Sequence, residues 1–120
     1  MVGLTEYSKY IFGHCYSLKS IVFPAEITAI RARAFYGCNK LGTEGYLIFP
    51  NTIKVIEDYA FGGCTGLTQV SFRGTPDSIS SNAFSNCSNM KHIYVPWSEG
   101  AVANEPWGAS AAKIHYNYGS

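Results

Sequence analysis

A short pattern occurs four times in this chain: an apolar residue, then Phe, two further residues and Cys. The Phe and Cys positions are Phe12 and Cys15, Phe35 and Cys38, Phe61 and Cys64, and Phe84 and Cys87. Successive Cys residues are 23, 26 and 23 positions apart. A fixed period of this length is typical of proteins built from stacked structural units. The pattern therefore predicts a repeat protein and limits the fold more than any local propensity does.

Apolar residues on both sides of each pattern keep the same register. One set lies three positions after each Cys and consists of Leu18, Leu41, Leu67 and Met90. A second set lies five positions before each Phe and consists of Tyr7, Ile30, Ile56 and Ile79. Leu4, Ile27 and Ile53 add a further inward position three residues earlier. The longer middle interval is explained by about three extra residues in Gly42–Gly45, a stretch bounded by Gly that predicts a loop outside the stack.

Alternating apolar residues predict one short strand in each unit. The inward pairs are Ile21 and Phe23, Leu47 and Phe49, Val70 and Phe72, and Ile93 and Val95. Since no unit can bury its apolar side alone, the units must stack. Equivalent strands would then form a parallel ladder at a spacing of about 4.8 Å.

The residue before each Cys is of a type that tolerates positive φ: His14, Gly37, Gly63 or Asn86. We interpret Ala-Phe-x-x-Cys as one helical turn that ends in a left-handed residue. The predicted fold is an α/β repeat solenoid, with a parallel β-sheet on one face and short helical turns opposite.

The pattern resembles the leucine-rich repeats of the BspA-like family. The resemblance is carried by Phe23-Pro24, Ile27, Ile30, Ala34-Phe35, Cys38 and Leu41, and by the equivalent residues from Phe49-Pro50 to Leu67. It implies a short right-handed stack of about four repeats at residues 4–96, within a single domain spanning 1–120. Residues 97–120 look like the closing segment of some bacterial members, and we expect Trp97 and Trp107 to cover the apolar end of the stack.

The same resemblance implies a bacterial or protist surface setting, in which some members are adhesins that bind host matrix proteins or other cells. It supplies no shared catalytic residues. No basic-then-apolar signal peptide opens this chain, so the expected extracellular or cell-surface location depends on the resemblance alone.

Composition excludes several classes of function. The chain has 120 residues, 47% of them hydrophobic and 14% charged, which suits one folded domain rather than a disordered segment. A formal net charge of +1 gives no field that would attract nucleic acid. Apolar runs such as Tyr46 to Phe49 are far shorter than the roughly 20 residues of a membrane helix, so we expect no membrane insertion.

The Cys and His residues do not form a pattern typical of a metal or catalytic site. Zinc sites use ligands in closely spaced pairs, whereas the Cys residues here are a full repeat apart. His14, His92 and His115 fall in different repeats, and no nucleophile motif is present. We therefore predict no metal site, no cofactor and no enzymatic activity. We also predict four free, buried thiols acting as small apolar residues, with disulfides as the alternative, since equivalent positions of adjacent repeats are close enough to bridge.

The outward strand positions are the candidate binding site. Strand alternation directs two columns to solvent: Val22, Ile48, Ser71 and Tyr94, and Ser20, Tyr46, Gln69 and His92. The ligand-binding prediction covers Val22, Tyr46, Ile48, Gln69, Ser71, His92 and Tyr94, and the expected ligand is a protein or a glycan. β-Branched and aromatic residues also suit exposed strands, so simple strand propensity is the competing interpretation.

A structural role is the alternative to ligand binding. The sequence begins partway through a repeat, at Leu4 and Tyr7, and shows no obvious N-terminal cap. An uncovered first unit would favour self-association through the repeat edge. The chain would then act as a spacer or assembly unit of a longer surface protein.

Overall fold

A computed structural model describes residues 6–44 and 46–118, and within these ranges the chain forms a parallel β-solenoid with one coil per repeat. The described strands are β1 (Glu6–Tyr7), β2 (Ala29–Ile30), β3 (Leu47–Phe49), β4 (Val55–Ile56), β5 (Gln69–Phe72), β6 (Ser78–Ile79), β7 (His92–Tyr94) and β8 (Lys113–His115). They form two parallel sheets, ordered β1-β2-β4-β6 and β3-β5-β7-β8. The predicted inward position Leu4 and the loop residue Gly45 lie outside the described residues.

The sheet β3-β5-β7-β8 is the predicted ladder. Leu47 pairs with Val70, Val70 pairs with Ile93, and Ile93 pairs with Ile114, so equivalent residues of successive coils lie side by side. The prediction was wrong for the first unit, because residues 20–24 form no strand. Two N–H groups of the inserted loop, those of Gly42 and Glu44, instead donate to the carbonyl of Lys19.

The second sheet arises where the sequence indicated only an extended corner. Its strands are two residues long, and Tyr7, Ile30, Ile56 and Ile79 follow one another in register and are buried. The apolar residue five positions before each Phe therefore marks a second ladder.

The predicted helical turns are wrong. The N–H groups of Ala34, Tyr36 and Cys38 donate three residues back within their own coil. Those of Phe35 and Gly37 donate instead to Ala60 and Gly62 of the next coil, at 2.8 and 2.7 Å. An α-helix would direct every N–H along its own segment. Here the segment is a series of tight turns in which alternate N–H groups join neighbouring coils.

Backbone dihedral angles explain why the helix does not form. The residues before the four Cys have φ of 58, 74, 72 and 62°, as the sequence predicts. A second left-handed residue precedes the Phe by two positions in three coils, at Tyr10, Arg33 and Tyr59, with φ of 62, 56 and 56°. Left-handed residues this close together interrupt helical hydrogen bonding. The described residues contain no helix, and hence none that is long and apolar enough to cross a membrane.

Stacked aromatic rings form the centre of the core. The ring centroids of Phe12, Phe35, Phe61 and Phe84 are successively 5.3, 5.0 and 5.4 Å apart. Phe35, Phe61 and Phe84 are fully buried, whereas Phe12, at the end of the column, is half-buried. The equivalent Phe residues of successive repeats thus form one continuous column in the core.

The Cys residues form a second column of free thiols. The Sγ atoms of Cys38, Cys64 and Cys87 each donate to the Phe carbonyl of the preceding coil, at 3.0, 3.2 and 3.0 Å. Burial raises the pKa of the Cys87 thiol to about 12, and burial also raises the pKa values of Cys38 and Cys64. Cys15 is only half-buried.

Thiol labelling checks this column. At mildly alkaline pH a disulfide reagent such as Ellman's reagent should label Cys15 well before the other three Cys residues of the folded protein, because reaction requires an accessible thiolate. All four should react after denaturation without reductant. Two or fewer reactive thiols after denaturation would show disulfides, and rapid labelling of all four before it would contradict the buried column.

The last described coil packs on the apolar end of the stack through two Trp residues. Trp97 and Trp107 are buried, with ring centroids 5.3 and 6.1 Å from that of Phe72. Trp97 Nε1 donates to Glu105, as does the Tyr116 hydroxyl, at 2.9 and 2.7 Å. Desolvation and the Glu105 carboxylate raise the pKa of Tyr116 to about 12, so this hydroxyl stays protonated as a donor.

Candidate binding face

The outer face of the sheet β3-β5-β7-β8 carries the predicted site residues in columns. Ile48 pairs with Ser71, Ser71 with Tyr94, and Tyr94 with His115. In the second column Gln69 pairs with His92 and His92 with Lys113. The ladder thus aligns side chains from four segments of the chain on one surface.

Exposed apolar residues concentrate at one end of this face. Val22, Tyr46 and Ile48 are 93, 64 and 41% exposed. Val22 lies in the segment that forms no strand, and Tyr46 directly precedes β3. Gln69, Ser71, His92 and Tyr94 are half-buried. The predicted residues therefore differ in accessibility, with the most accessible ones in the first two coils.

Aromatic rings cluster at the other end of the face. The rings of Tyr94 and His115 stack with centroids 4.5 Å apart and planes 13° apart. The ring centroids of Tyr118 and Tyr94 are 4.6 Å apart, and His92 Nδ1 lies 3.0 Å from His115 Nε2. Partial desolvation lowers the pKa of His115, and the electrostatic effects of the neighbouring His92 and Lys113 lower it further. The lowered pKa favours the neutral form of this imidazole, and the rings form a packed aromatic surface.

Two adjacent cavities open on the face and share Ile48 and Arg73. The first, of about 320 Å³, is also lined by Ser71, Pro96 and Tyr118. The second, of about 360 Å³, lies beside Val22 and Tyr46 and extends towards the first coil; its other lining residues are Ile21, Phe23, Ala25 and Pro50. No Asp or Glu is among the residues that line either cavity. Both are apolar clefts with a cation at their common edge.

The sequence interpretation missed three residues of this face. Arg73 could have been identified, because it continues the outward alternation of Gln69 and Ser71. His115 could have been identified in the same way, from its position next to the inward Ile114. No sequence signal indicated Tyr118, which reaches Tyr94 only because the chain returns to the sheet after β8.

A third cavity, of about 530 Å³, lies at the other sheet and is a weaker candidate. Lys9, Glu57, Asp58, Ser80 and Asn104 are among its lining residues. Several of its polar groups are already bonded: Glu57 pairs with Arg31 at 2.8 Å and accepts from the Ala32 N–H, and Ser80 donates to Asp58. In the part of the chain that the structure describes, no group of three or more His, Cys, Asp or Glu could hold a metal ion.

Comparison with known proteins gives one result. The profile of a BspA-type leucine-rich repeat region matches residues 5–100, in six copies. Neither a curated protein nor a solved structure gives a significant match.

Proposed function

Because the chain belongs to the BspA-type leucine-rich repeat family, we propose that it is a non-enzymatic module that binds a protein or glycan through the outer face of the sheet β3-β5-β7-β8. Stacked repeats present an extended surface that suits recognition. We place the module outside the cell or on its surface, in an adhesion-type role. The observation that carries the proposal is the alignment of exposed apolar and aromatic side chains beside two cavities on one face.

The composition of the face supports binding. Solvent-exposed Val22, Tyr46 and Ile48 are adjacent to the same cavity, and grouped exposed apolar residues of this kind mark interaction sites more often than scattered ones do. Tyr is also enriched in protein interfaces, because its ring gives a large contact area and its hydroxyl can bond. Simple strand propensity accounts for single residues but not for their association with cavities.

Replacing Tyr46 and Tyr94 together by Ala should weaken the best ligand from a screen of matrix proteins and glycans. We expect a loss of more than about 1 kcal/mol, or at least about fivefold in Kd, the usual mark of an important interface residue. Surface plasmon resonance would measure it. Tyr10→Ala is the matched control, because Tyr10 is 60% exposed but lies in the turns rather than on the sheet. An equal loss in the control, or none in the double variant, would contradict the sheet-face proposal.

A spacer or assembly role is the second candidate, and the first coil favours it. Phe12, Cys15, Leu18 and Ile21 are half-buried, whereas their equivalents in the second coil, Phe35, Cys38, Leu41 and Leu47, are buried. The apolar side chains of the first described coil are thus partly accessible. A charge at Tyr7 would not test this role, since Tyr7 is itself buried against Phe12 and Phe35. Cys15→Glu is the better variant. If sedimentation shows that self-association is lost in Cys15→Glu but not in the Tyr46 and Tyr94 double variant, assembly is favoured over sheet-face binding.

A further inference from the structure

We infer that the cavity over Ser71 is a socket for one aromatic side chain of a protein partner, and that Arg73 binds a carboxylate beside it. This inference rests on the proposed function and names the class of partner that the face would take. The socket is defined by Ile48, Ser71, Arg73, Pro96 and Tyr118.

The socket exists because a small residue lies between larger ones. Ser71 is flanked in the ladder by Ile48 on one side and Tyr94 on the other. Neighbouring strands are about 4.8 Å apart, so the backbones of these two flanking residues are separated by roughly twice that distance. On the Tyr94 side the wall of the cavity is the ring of Tyr118, whose centroid lies 4.6 Å from that of Tyr94, so a partner's ring above Ser71 would lie between Ile48 and Tyr118. The 4.5 Å separation of Tyr94 and His115 shows that stacked rings fit this spacing on the same face.

The lining selects an aromatic side chain over a sugar. Ile48 and Pro96 give apolar contact, and Tyr118, supported by Tyr94, forms a ring-lined wall. A sugar carries hydroxyl groups around its whole rim, whereas among the lining side chains only Ser71, Arg73 and Tyr118 carry groups that could bond to them. Aromatic pairs gain stabilisation beyond the area that they bury. A Trp or Tyr side chain therefore fits both the shape and the chemistry of the socket.

Charge identifies the neighbouring group. The Arg73 side chain is exposed, lines both cavities and forms no ion pair with the residues that the structure describes. A guanidinium at the edge of an apolar cleft is suited to a carboxylate, which accepts two parallel hydrogen bonds. The expected partner is thus a segment with Asp or Glu next to an aromatic residue.

Three blocked tetrapeptides test the socket: acetyl-Asp-Trp-Gly-Ser-amide, its Asn-Trp analogue and its Asp-Leu analogue. Two-dimensional NMR of the labelled protein would follow the amides of Ile48, Ser71 and Arg73. We expect saturable shifts with the Asp-Trp peptide, weaker binding of Asn-Trp, and about tenfold weaker binding of Asp-Leu, because a contact that fills a pocket dominates affinity. No saturable shift at these amides, or equal binding of all three peptides, would overturn the proposal.

Two variants assign the roles of the residues. Ser71→Phe fills the socket with the protein's own ring and should reduce Asp-Trp binding at least tenfold, whereas Ser78→Phe, on an exposed strand position of the other sheet, should not. If Ser71→Phe disturbs the fold, Ser71→Val, with a strand-forming side chain, gives the same test. Arg73→Gln should remove the preference for Asp over Asn and retain Trp binding. Undiminished binding in the folded Ser71 variants would overturn the socket.

Two further results separate this inference from the proposed function. A glycan such as maltoheptaose that shifts the same amides, when the peptides do not, would overturn the aromatic assignment and leave the binding face intact. A screened ligand that is lost in the Tyr46 and Tyr94 double variant but unaffected by Ser71→Phe would likewise overturn the socket alone.

Discussion

Replacing Phe61 by Ala should lower the free energy of unfolding by about 3–5 kcal/mol, the range found for large aromatic residues removed from cores. Phe61 is fully buried and stacks between Phe35 and Phe84, at 5.0 and 5.4 Å. Neighbouring coils are tied by hydrogen bonds on both sides, so they cannot close the cavity by moving together. Urea unfolding followed by circular dichroism would measure the loss.

Phe12→Ala is the matched control for this prediction. Phe12 has the same position in the repeat but is half-buried. Within the column it stacks on one other ring, that of Phe35. Its removal should cost no more than about half as much, because less area is lost and solvent can fill the space. Equal losses at the two positions would contradict the stacked column, as would a loss below about 1 kcal/mol at Phe61.

Trp107→Ala should be comparably destabilising, by about 3–5 kcal/mol. The Trp107 side chain is fully buried, lies beside Trp97 and Phe72, and donates from Nε1 to the Ala103 carbonyl at 2.9 Å. Its main-chain carbonyl accepts from the Phe84 N–H at 2.8 Å, and this bond does not depend on the side chain. We therefore expect loss of packing at the end of the stack, which thermal unfolding would report.

Hydrogen exchange would show which part of the stack is destabilised in Trp107→Ala. Trp107→Phe is the control variant. In the Ala variant, amides of β8 should lose protection before those of β5, because the end coil opens first. The Phe variant retains a ring and loses the indole donor, so it should cost about 1–3 kcal/mol. Uniform loss of protection in both sheets, or no difference between the Ala and Phe variants, would contradict a local packing role.

Registered positions account for what the sequence predicts correctly. Val70 and Ile93 pair as expected because both lie at the same distance from their Cys residues. The turn conformation could not be derived in the same way. Arg33 and Tyr59 adopt positive φ although neither residue type favours it. Bonds between coils hold these residues in place, and such bonds leave no local sequence signal.

The binding face was partly predictable for the same reason. Alternation places Ile48, Ser71 and Tyr94 in one outward column, but it does not show that the small Ser71 leaves a cavity between its neighbours. That depends on side-chain volume and on Tyr118, which comes from beyond the last strand. The strand predicted at Ile21 and Phe23 failed because the inserted loop, not a strand, bonds to Lys19. Whether the face binds a ligand stays a prediction.

The alternating turn hydrogen bonds make each coil an interchangeable module. The Phe N–H donates to the Ala carbonyl of the next coil at Phe12, Phe35 and Phe61, so these three joints use the same donor and acceptor positions. Duplication or exchange of a whole unit therefore preserves the joints between units. The outward residues of that unit would change with it. Recognition could thus diversify by recombination of units, with the size of a single side chain, such as that of Ser71, setting where a cleft opens.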